Sequence, residues 1–258
     1  MDVDLLSLDG SAKGRVALPG IFESEVRPDL IRRAVLAEQS LALQPQGHYV
    51  LAGMQTSAKY YGAMHSYRTG RHTGRAIRPR QKLGGGMQGQ VRRIPSAVKG
   101  KRAHPHMVGK ALVERINVKE YRKGVACAIA ATAALRTGGG ESARRTIVLS
   151  NEIEKVKRTA EMVKVFNNLK LIGSKRKRIR KGLRRGARQR RYGKGVLLVV
   201  GSRCDALLAA RNIAGVDACD LGSIRASLFA PGGNPGRQTV WSESALLGLE
   251  SAINAMRI

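Results

Sequence analysis

The sequence predicts an α/β domain with a mostly parallel sheet covered by helices, interrupted by a long basic extended loop. Three observations carry that reading. Strand-like and helix-like segments alternate along both ends of the chain. Two of the strand-like segments, Thr146 to Leu149 (TIVL) and Val196 to Val200 (VLLVV), carry apolar residues at consecutive rather than alternating positions, as in strands buried on both faces. Between Glu38 and Glu114, 75 residues carry no carboxylate, hold 13 Lys or Arg and 11 Gly, and sustain neither helical nor strand periodicity.

Val3 to Leu8 reads as a short strand, followed by a Gly/Pro-rich connection through Pro19-Gly20. Pro28 opens a helix with Asp29 in its first turn, where negative charge suits the dipole. Leu30, Ile31, Ala34, Val35 and Leu41 give that helix an apolar face, and Pro45 and Gly47 end it. Residues 46–109 are the inserted loop; 1–45 and 110–258 form the domain. Val118, Tyr121, Val125, Ile129 and the run Ala130 to Ala134 predict a second helix closing on Gly138-Gly139-Gly140. After the TIVL strand, Ser150 or Asn151 caps a helix carrying Ile153, Val156, Ala160 and Val163. Beyond the VLLVV strand come a helix over 206–213, a strand over Val216 to Cys219 and a helical turn over Gly222 to Leu228. A loop from Pro231 to Pro235, a strand from Thr239 to Trp241 and a final helix capped by Ser242 complete the chain.

Composition restricts the partner. Of 258 residues, 47 are Lys or Arg and 18 are Asp or Glu, a formal charge of +29. A second acid-free block, Lys170 to Gly195, holds 13 more cations in 26 residues. Without the two blocks the chain is a near-neutral globular protein with 21 basic and 18 acidic side chains. A solvated surface normally mixes signs, so cation density of this kind implies a polyanionic partner. No apolar run approaches the roughly 18 residues of a membrane span. The acidic N-terminus lacks the basic start of a signal peptide, which favours a cytoplasmic setting. Three cysteines (Cys127, Cys204, Cys219) without a CxxC spacing disfavour a disulfide framework or a zinc site and read as small core residues.

Catalytic and cofactor motifs fail on context. Gly84-x-Gly86-x-x-Gly89 matches the dinucleotide fingerprint but follows no strand and opens no helix. The Gly-Lys pairs at 100–101, 109–110 and 193–194 are never followed by Ser or Thr, so no P-loop is present. His104-Pro-His106 has no carboxylate or cysteine near it, and the surrounding arginines repel a metal ion. No cofactor and no metal site is expected. Nucleic-acid binding remains. Arg and Lys neutralise phosphates, and Tyr49, Tyr60, Tyr61, Tyr67 and Tyr192 are placed to stack on unpaired bases. For Tyr60-Tyr61, packing at the root of the insertion is an equal alternative. RNA is preferred over DNA because the basic segments hold no short recognition helix.

Within the insertion, Ala52-Gly53-Met54-Gln55-Thr56-Ser57-Ala58, Thr73-Gly74-Arg75-Ala76, Gly84-Gly85-Gly86, Gly89-Gln90 and Lys101-Arg102-Ala103-His104-Pro105 occur in order. This set resembles the fourth-protein family of the large ribosomal subunit, in its archaeal and eukaryotic branch. The resemblance implies a non-enzymatic structural constituent that binds large-subunit (23S-type) rRNA, supports subunit assembly and lies beside other large-subunit proteins. It also implies an insertion threading into rRNA, with its tip at the nascent-peptide exit tunnel near the twenty-second large-subunit protein. Carried over, the tip is Arg71, His72, Thr73, Gly74 and Arg75, within reach of the nascent peptide. Arg68, Arg71, Arg75, Arg78, Arg80, Lys82, Arg92, Arg93, Lys99, Lys101 and Arg102 are the rRNA-binding cations of the insertion. In the second block, Lys175, Arg176, Lys177, Arg178, Arg184, Arg185, Arg188, Arg190 and Arg191 are assigned to RNA on charge alone. The competing readings are an RNA-modifying enzyme that works in the α/β crevice and grips its substrate with the basic segments, and an architectural DNA-binding protein.

Overall fold

The computed structural model describes residues 2–65, 69–81, 89–91, 94–134, 146–171, 177–179 and 190–256, with backbone alone for 177–179 and 190–192. The chain divides into two compact units, Met1–Ala42 with Val113–Ile258, and Leu43–Leu112.

The first unit is an α/β domain. Its strands are β1 (Asp2–Leu6), β2 (Ala12–Ala17), β3 (Thr146–Leu149), β6 (Leu197–Val200), β7 (Asp217–Asp220) and β8 (Thr239–Ser242), and they form one sheet in the order β2-β1-β3-β8-β6-β7. All neighbours are parallel except β1 and β2, which form an antiparallel edge hairpin. A separate two-stranded ribbon, β4 (Lys177–Ile179) with β5 (Arg190–Tyr192), lies in the second basic block. The helices are α1 (Pro28–Leu41), α2 (Val118–Ala134), α3 (Thr159–Asn168), α4 (Asp205–Arg211), α5 (Ala226–Phe229) and α6 (Glu243–Ala255).

The continuous apolar strands are explained by two cores. Leu197 and Val199 of β6, Val148 of β3 and Trp241 of β8 join a cluster with Ile31 and Val35 of α1, Val125 and Ile129 of α2, and Leu249 of α6. The alternate residues Leu198, Val200, Leu149 and Val240 join a second cluster with Met162 and Phe166 of α3 and Ala206 and Leu207 of α4. Side chains on a strand alternate between faces, so both faces of the sheet are dry and covered by helices. Trp241 is fully buried, edge-on to Phe22 at 5.6 Å and stacked on Phe229 at 5.7 Å. Burying a side chain of this size contributes about 2 kcal/mol or more. The first helix pair meets at Gly124, where a Cβ would come within 2.9 Å of the Ala34 Cβ.

The structure departs from the sequence reading in three places. The segment read as a Gly/Pro-rich connection contains β2, an edge strand whose residues are nearly all exposed and so carry no apolar alternation. The helix expected from Ser150 is broken: a 3-10 helix spans Asn151–Lys155, extended backbone follows at Val156 and Arg158, and α3 begins at Thr159. Ala160 is therefore exposed, and Met162, Val165 and Phe166 form the buried face. The second basic block, read on charge alone, carries the β4–β5 ribbon. By contrast, Ser242 caps α6 as expected, its Oγ accepting from the Ala245 amide at 3.3 Å. The break after α2, at Gly138 to Gly140, lies outside the described residues.

Candidate nucleic-acid interface

The inserted unit is held by backbone and cation contacts rather than by a core. Among its described residues only Ala58 and Ile94 are buried apolar side chains, with Gln81 the buried polar one. Glycine lets its strands touch: a Cβ on Gly53 would run into the carbonyls of Arg102 and Ala103, and one on Gly100 into the Ile94 carbonyl. The Lys101 ammonium ties the same two strands by donating to Gln55 O at 2.9 Å and Ala52 O at 3.4 Å. Arg80 pairs with Lys59 through both backbone bonds, at 3.2 and 3.1 Å, while its guanidinium donates to Gly89 O at 3.0 Å and Ala76 O at 2.9 Å. Arg78 donates to Ser96 O. Three cations that the sequence assigns wholly to RNA therefore also brace the unit itself. Sequence reasoning missed that duty, because carbonyl partners leave no signature in side-chain chemistry.

Arg71, His72, Thr73, Gly74 and Arg75 form one exposed turn. Thr73 Oγ1 donates to Gly70 O at 3.2 Å, and the Arg71 amide donates to Thr69 Oγ1 at 3.3 Å. His72 and Gly74 both adopt left-handed backbone, with φ of 54° and 68°, as does Lys99 at 56°. For a residue other than glycine this conformation costs about 1 kcal/mol or more. Arg78, Lys99, Lys101 and Arg102 are exposed, and Arg80 is half-buried. His48 and His106 bring their rings to 6.5 Å. Arg68, Lys82, Arg92, Arg93, Lys175, Arg176, Arg184, Arg185 and Arg188 lie outside the described residues, as does Tyr67. Lys177, Arg178, Arg190 and Arg191 are placed by backbone register alone: Arg178 faces Arg191, Lys177 faces Tyr192 and Ile179 faces Arg190.

The crevice at the carboxyl ends of the strands is where a domain of this class usually takes a small ligand. Here Glu154, on the 3-10 helix after β3, fills it. Its Oε1 accepts from the Gly201 amide at 3.0 Å, just after β6, from Ser242 Oγ at 2.8 Å, at the end of β8, and from Ser244 Oγ beyond it. Asn151 Oδ1 accepts from the Ser244 amide at 2.9 Å, and Ser244 leaves no room for a side chain on Gly201. Burial raises the Glu154 pKa, but the bonds from Ser244, Gly201 and Ser242 outweigh it and hold the carboxyl below its ordinary range. A separate groove of about 890 Å³ lies between the ends of α1 and α6. Its one carboxylate, Glu38, is committed to Tyr121 OH at 2.7 Å, the Ala226 amide at 2.6 Å and the Ser227 amide at 3.0 Å. Burial in the same place, reinforced by Glu38, pushes the Tyr121 hydroxyl well above its usual pKa. Cys219 is buried, and burial pushes its thiol up to about 12, far from a nucleophile's range. Arg237 is also interior, donating to Gly195 O, Val196 O and Leu228 O and to Asp217 Oδ2 at 2.7 Å.

Comparison with known proteins decides the family. The pattern of the ribosomal protein L4/L1 family matches residues 16–252. The chain belongs to that family. Large ribosomal subunit protein uL4 of Methanocaldococcus jannaschii is 41% identical over 261 residues, covering 95% of this chain and 97% of its own. The uL4 protein of Archaeoglobus fulgidus is 40% identical over 260 residues with the same coverage. That of Methanoculleus marisnigri is 39% identical over 261 residues, covering 97% and 99%. The L4/L1 match runs through both units, so the acid-free insertion belongs to the family's body and is not an added tail. No helix among the described residues is long and apolar enough to cross a membrane.

Proposed function

We propose that the chain is a non-enzymatic structural constituent of the large ribosomal subunit that binds large-subunit rRNA. The observation that carries this is full-length similarity to proteins named for that subunit, joined to an inserted unit with 13 cations and no carboxylate. The mechanism is electrostatic. Each phosphate contact releases condensed counterions, and the RNA's charge offsets the mutual repulsion of the unit's cations. Arg71, Arg75, Arg78, Lys99, Lys101 and Arg102 supply the grip in the described part of the insertion. The cations at 68, 82, 92 and 93 and those between 175 and 191 extend it. The turn Arg71 to Arg75 is the segment that reaches the peptide exit tunnel, beside the twenty-second large-subunit protein and the nascent peptide, in the cytoplasm. The enzyme alternative loses ground because Glu154 already occupies the crevice it requires, with its oxygen satisfied by the protein.

Sedimentation of gently lysed cells through a gradient, with and without nuclease, tests the proposal. Co-migration with the large subunit in moderate salt, lost when RNA is digested, is expected. Migration as a small free species, or with chromosomal DNA, overturns it.

A further inference from the structure

Tyr60, an exposed aromatic of the inserted unit, packs directly against main chain. Its ring lies against two glycines. A Cβ on Gly62 would come within 2.5 Å of Tyr60 Cε1, and one on Gly70 would lie 3.4 Å from Cε2 and 3.3 Å from the Tyr61 carbonyl oxygen. The backbone under the ring is pinned on both sides. The Gly70 amide donates to Tyr61 O at 2.6 Å, and Lys59 pairs with Arg80 through two backbone bonds. The ring is thus seated on main chain, while 41% of the residue stays exposed. With Tyr61, Gly70 and Ala76 it lines a small notch whose other walls are Lys59, Arg78 and Arg80. Arg80 is turned inward onto Gly89 O and Ala76 O, so Lys59 and Arg78 are the exposed cations of the rim. Arg78 spends one of its guanidinium donors on Ser96 O.

A rigid aromatic face flanked by two cations suits one ligand chemistry above others. A nucleobase offers a flat π-face to the ring, and the phosphates on either side of it reach the cations. Contact with main chain at Gly62 and Gly70 restrains the ring, so it loses less side-chain entropy on stacking than a mobile tyrosine would. We infer that Tyr60 is a stacking platform for a single unpaired nucleobase, with its flanking phosphates on Lys59 and Arg78. This rests on the RNA reading above and assigns it a contact at one base. A protein guest fits less well, because the unit has no carboxylate to pair with the basic residues of an ordinary mixed-charge surface.

Three hairpin RNAs of identical stem test it with the full chain at matched salt: one with a single bulged adenosine, one with an abasic bulge and one fully paired. The unsubstituted chain is expected to prefer the bulged adenosine over the abasic hairpin by roughly tenfold. Tyr60→Leu should abolish that preference and leave the salt dependence of binding unchanged, whereas Tyr60→Phe should retain it. Tyr60→Trp should also retain it, and its indole emission should be quenched by the bulged adenosine but not by the abasic hairpin. Trp241, fully buried, gives a constant background and reports that the α/β unit is folded in every variant. A Tyr60→Leu chain that still prefers the bulged base, or a Tyr60→Trp chain whose emission ignores it, overturns the platform while leaving the RNA reading intact. Equal quenching by an acidic tyrosine-containing peptide would assign the notch to a protein instead. Failure of the unsubstituted chain to bind any of the three at low salt would take down the RNA reading itself.

Discussion

The two units solve the problem of a defined backbone in opposite ways. The α/β unit spends its sequence on burial: both faces of the sheet are covered, and charged groups in its interior are paired, Arg237 with Asp217 and Glu38 with Tyr121. The inserted unit exposes Leu43, Tyr49, Val50, Leu51, Met54, Tyr60, Tyr61, Met64, Ile77, Val98, Met107 and Val108, and among its described residues buries almost nothing. Its geometry comes from close glycine contacts and from arginine and lysine donating to carbonyls. The difference teaches that one chain can hold a fold defined by an apolar core and a fold defined by main-chain contacts and cation–carbonyl bonds.

That contrast can be broken or sharpened by experiment. The largest effect expected is on RNA binding. A unit making six to ten phosphate contacts loses about 10³- to 10⁵-fold in affinity between 50 and 200 mM salt, while the unfolding midpoint of the α/β unit barely moves. Parallel salt titrations of binding and of denaturant unfolding check both halves, and parallel responses would erase the distinction. Next, Trp241→Ala removes the ring packed on Phe22 and Phe229 and should cost the α/β unit about 4 kcal/mol in chemical denaturation. Ile94→Ala, the buried position of the inserted unit, should leave that same transition within about 0.5 kcal/mol.

Asp217→Asn leaves the Arg237 guanidinium interior without its counter-charge and should cost about 3 kcal/mol. Asp217 itself is pushed up by burial, but the hydrogen bonds from Lys194 and Arg237 prevail and keep its carboxyl below the usual range. Of the substitutions that destabilise the α/β unit, the mildest is Glu154→Gln, at about 2 kcal/mol, from weakening three hydrogen bonds to one oxygen. Glu154 has a folded pKa below its unfolded one, so its contribution is complete above the unfolded value and fades as pH falls through the folded one. The acid limb of the stability curve should therefore be shallower in Glu154→Gln than in the unsubstituted chain. Identical limbs would show that this carboxylate is not the group being titrated.

Most of the α/β unit was legible because burial writes itself into residue type. Ile147 to Leu149 and Leu197 to Val200 are apolar at consecutive positions since both faces of the sheet are dry, and Pro28 and Ser242 mark helix starts, the one by its fixed φ and the other by its capping hydroxyl. What escaped notice was set by partners distant in sequence. The strand Ala12–Ala17 exists through its pairing with Asp2–Leu6, and nothing in AKGRVA announces it. The break at Val156 was hidden because Ile153 and Val156 are buried on either account; the spacing fits a helix, and the 3-10 turn instead aims Glu154 at the strand ends. In the inserted unit the absence of carboxylates and the glycine density were visible, and so was the identity of the cations. Which of them turn inward, Arg80 onto Ala76 and Gly89, depends on carbonyl positions that no residue name encodes.

Glu154 carries one last consequence. A binding protein cycles between empty and occupied states, and the concentration of its ligand sets the balance. At the strand ends of this domain the carboxylate that accepts from Gly201, Ser242 and Ser244 is tethered by the peptide chain, so its effective concentration is set by the fold. The tie between the ends of β6 and β8 is therefore made within the chain itself and needs no second molecule. For a part whose work is to fit one place in a large assembly, such an internal tie is an asset: it sets the spacing of the strand ends by covalent connection rather than by supply.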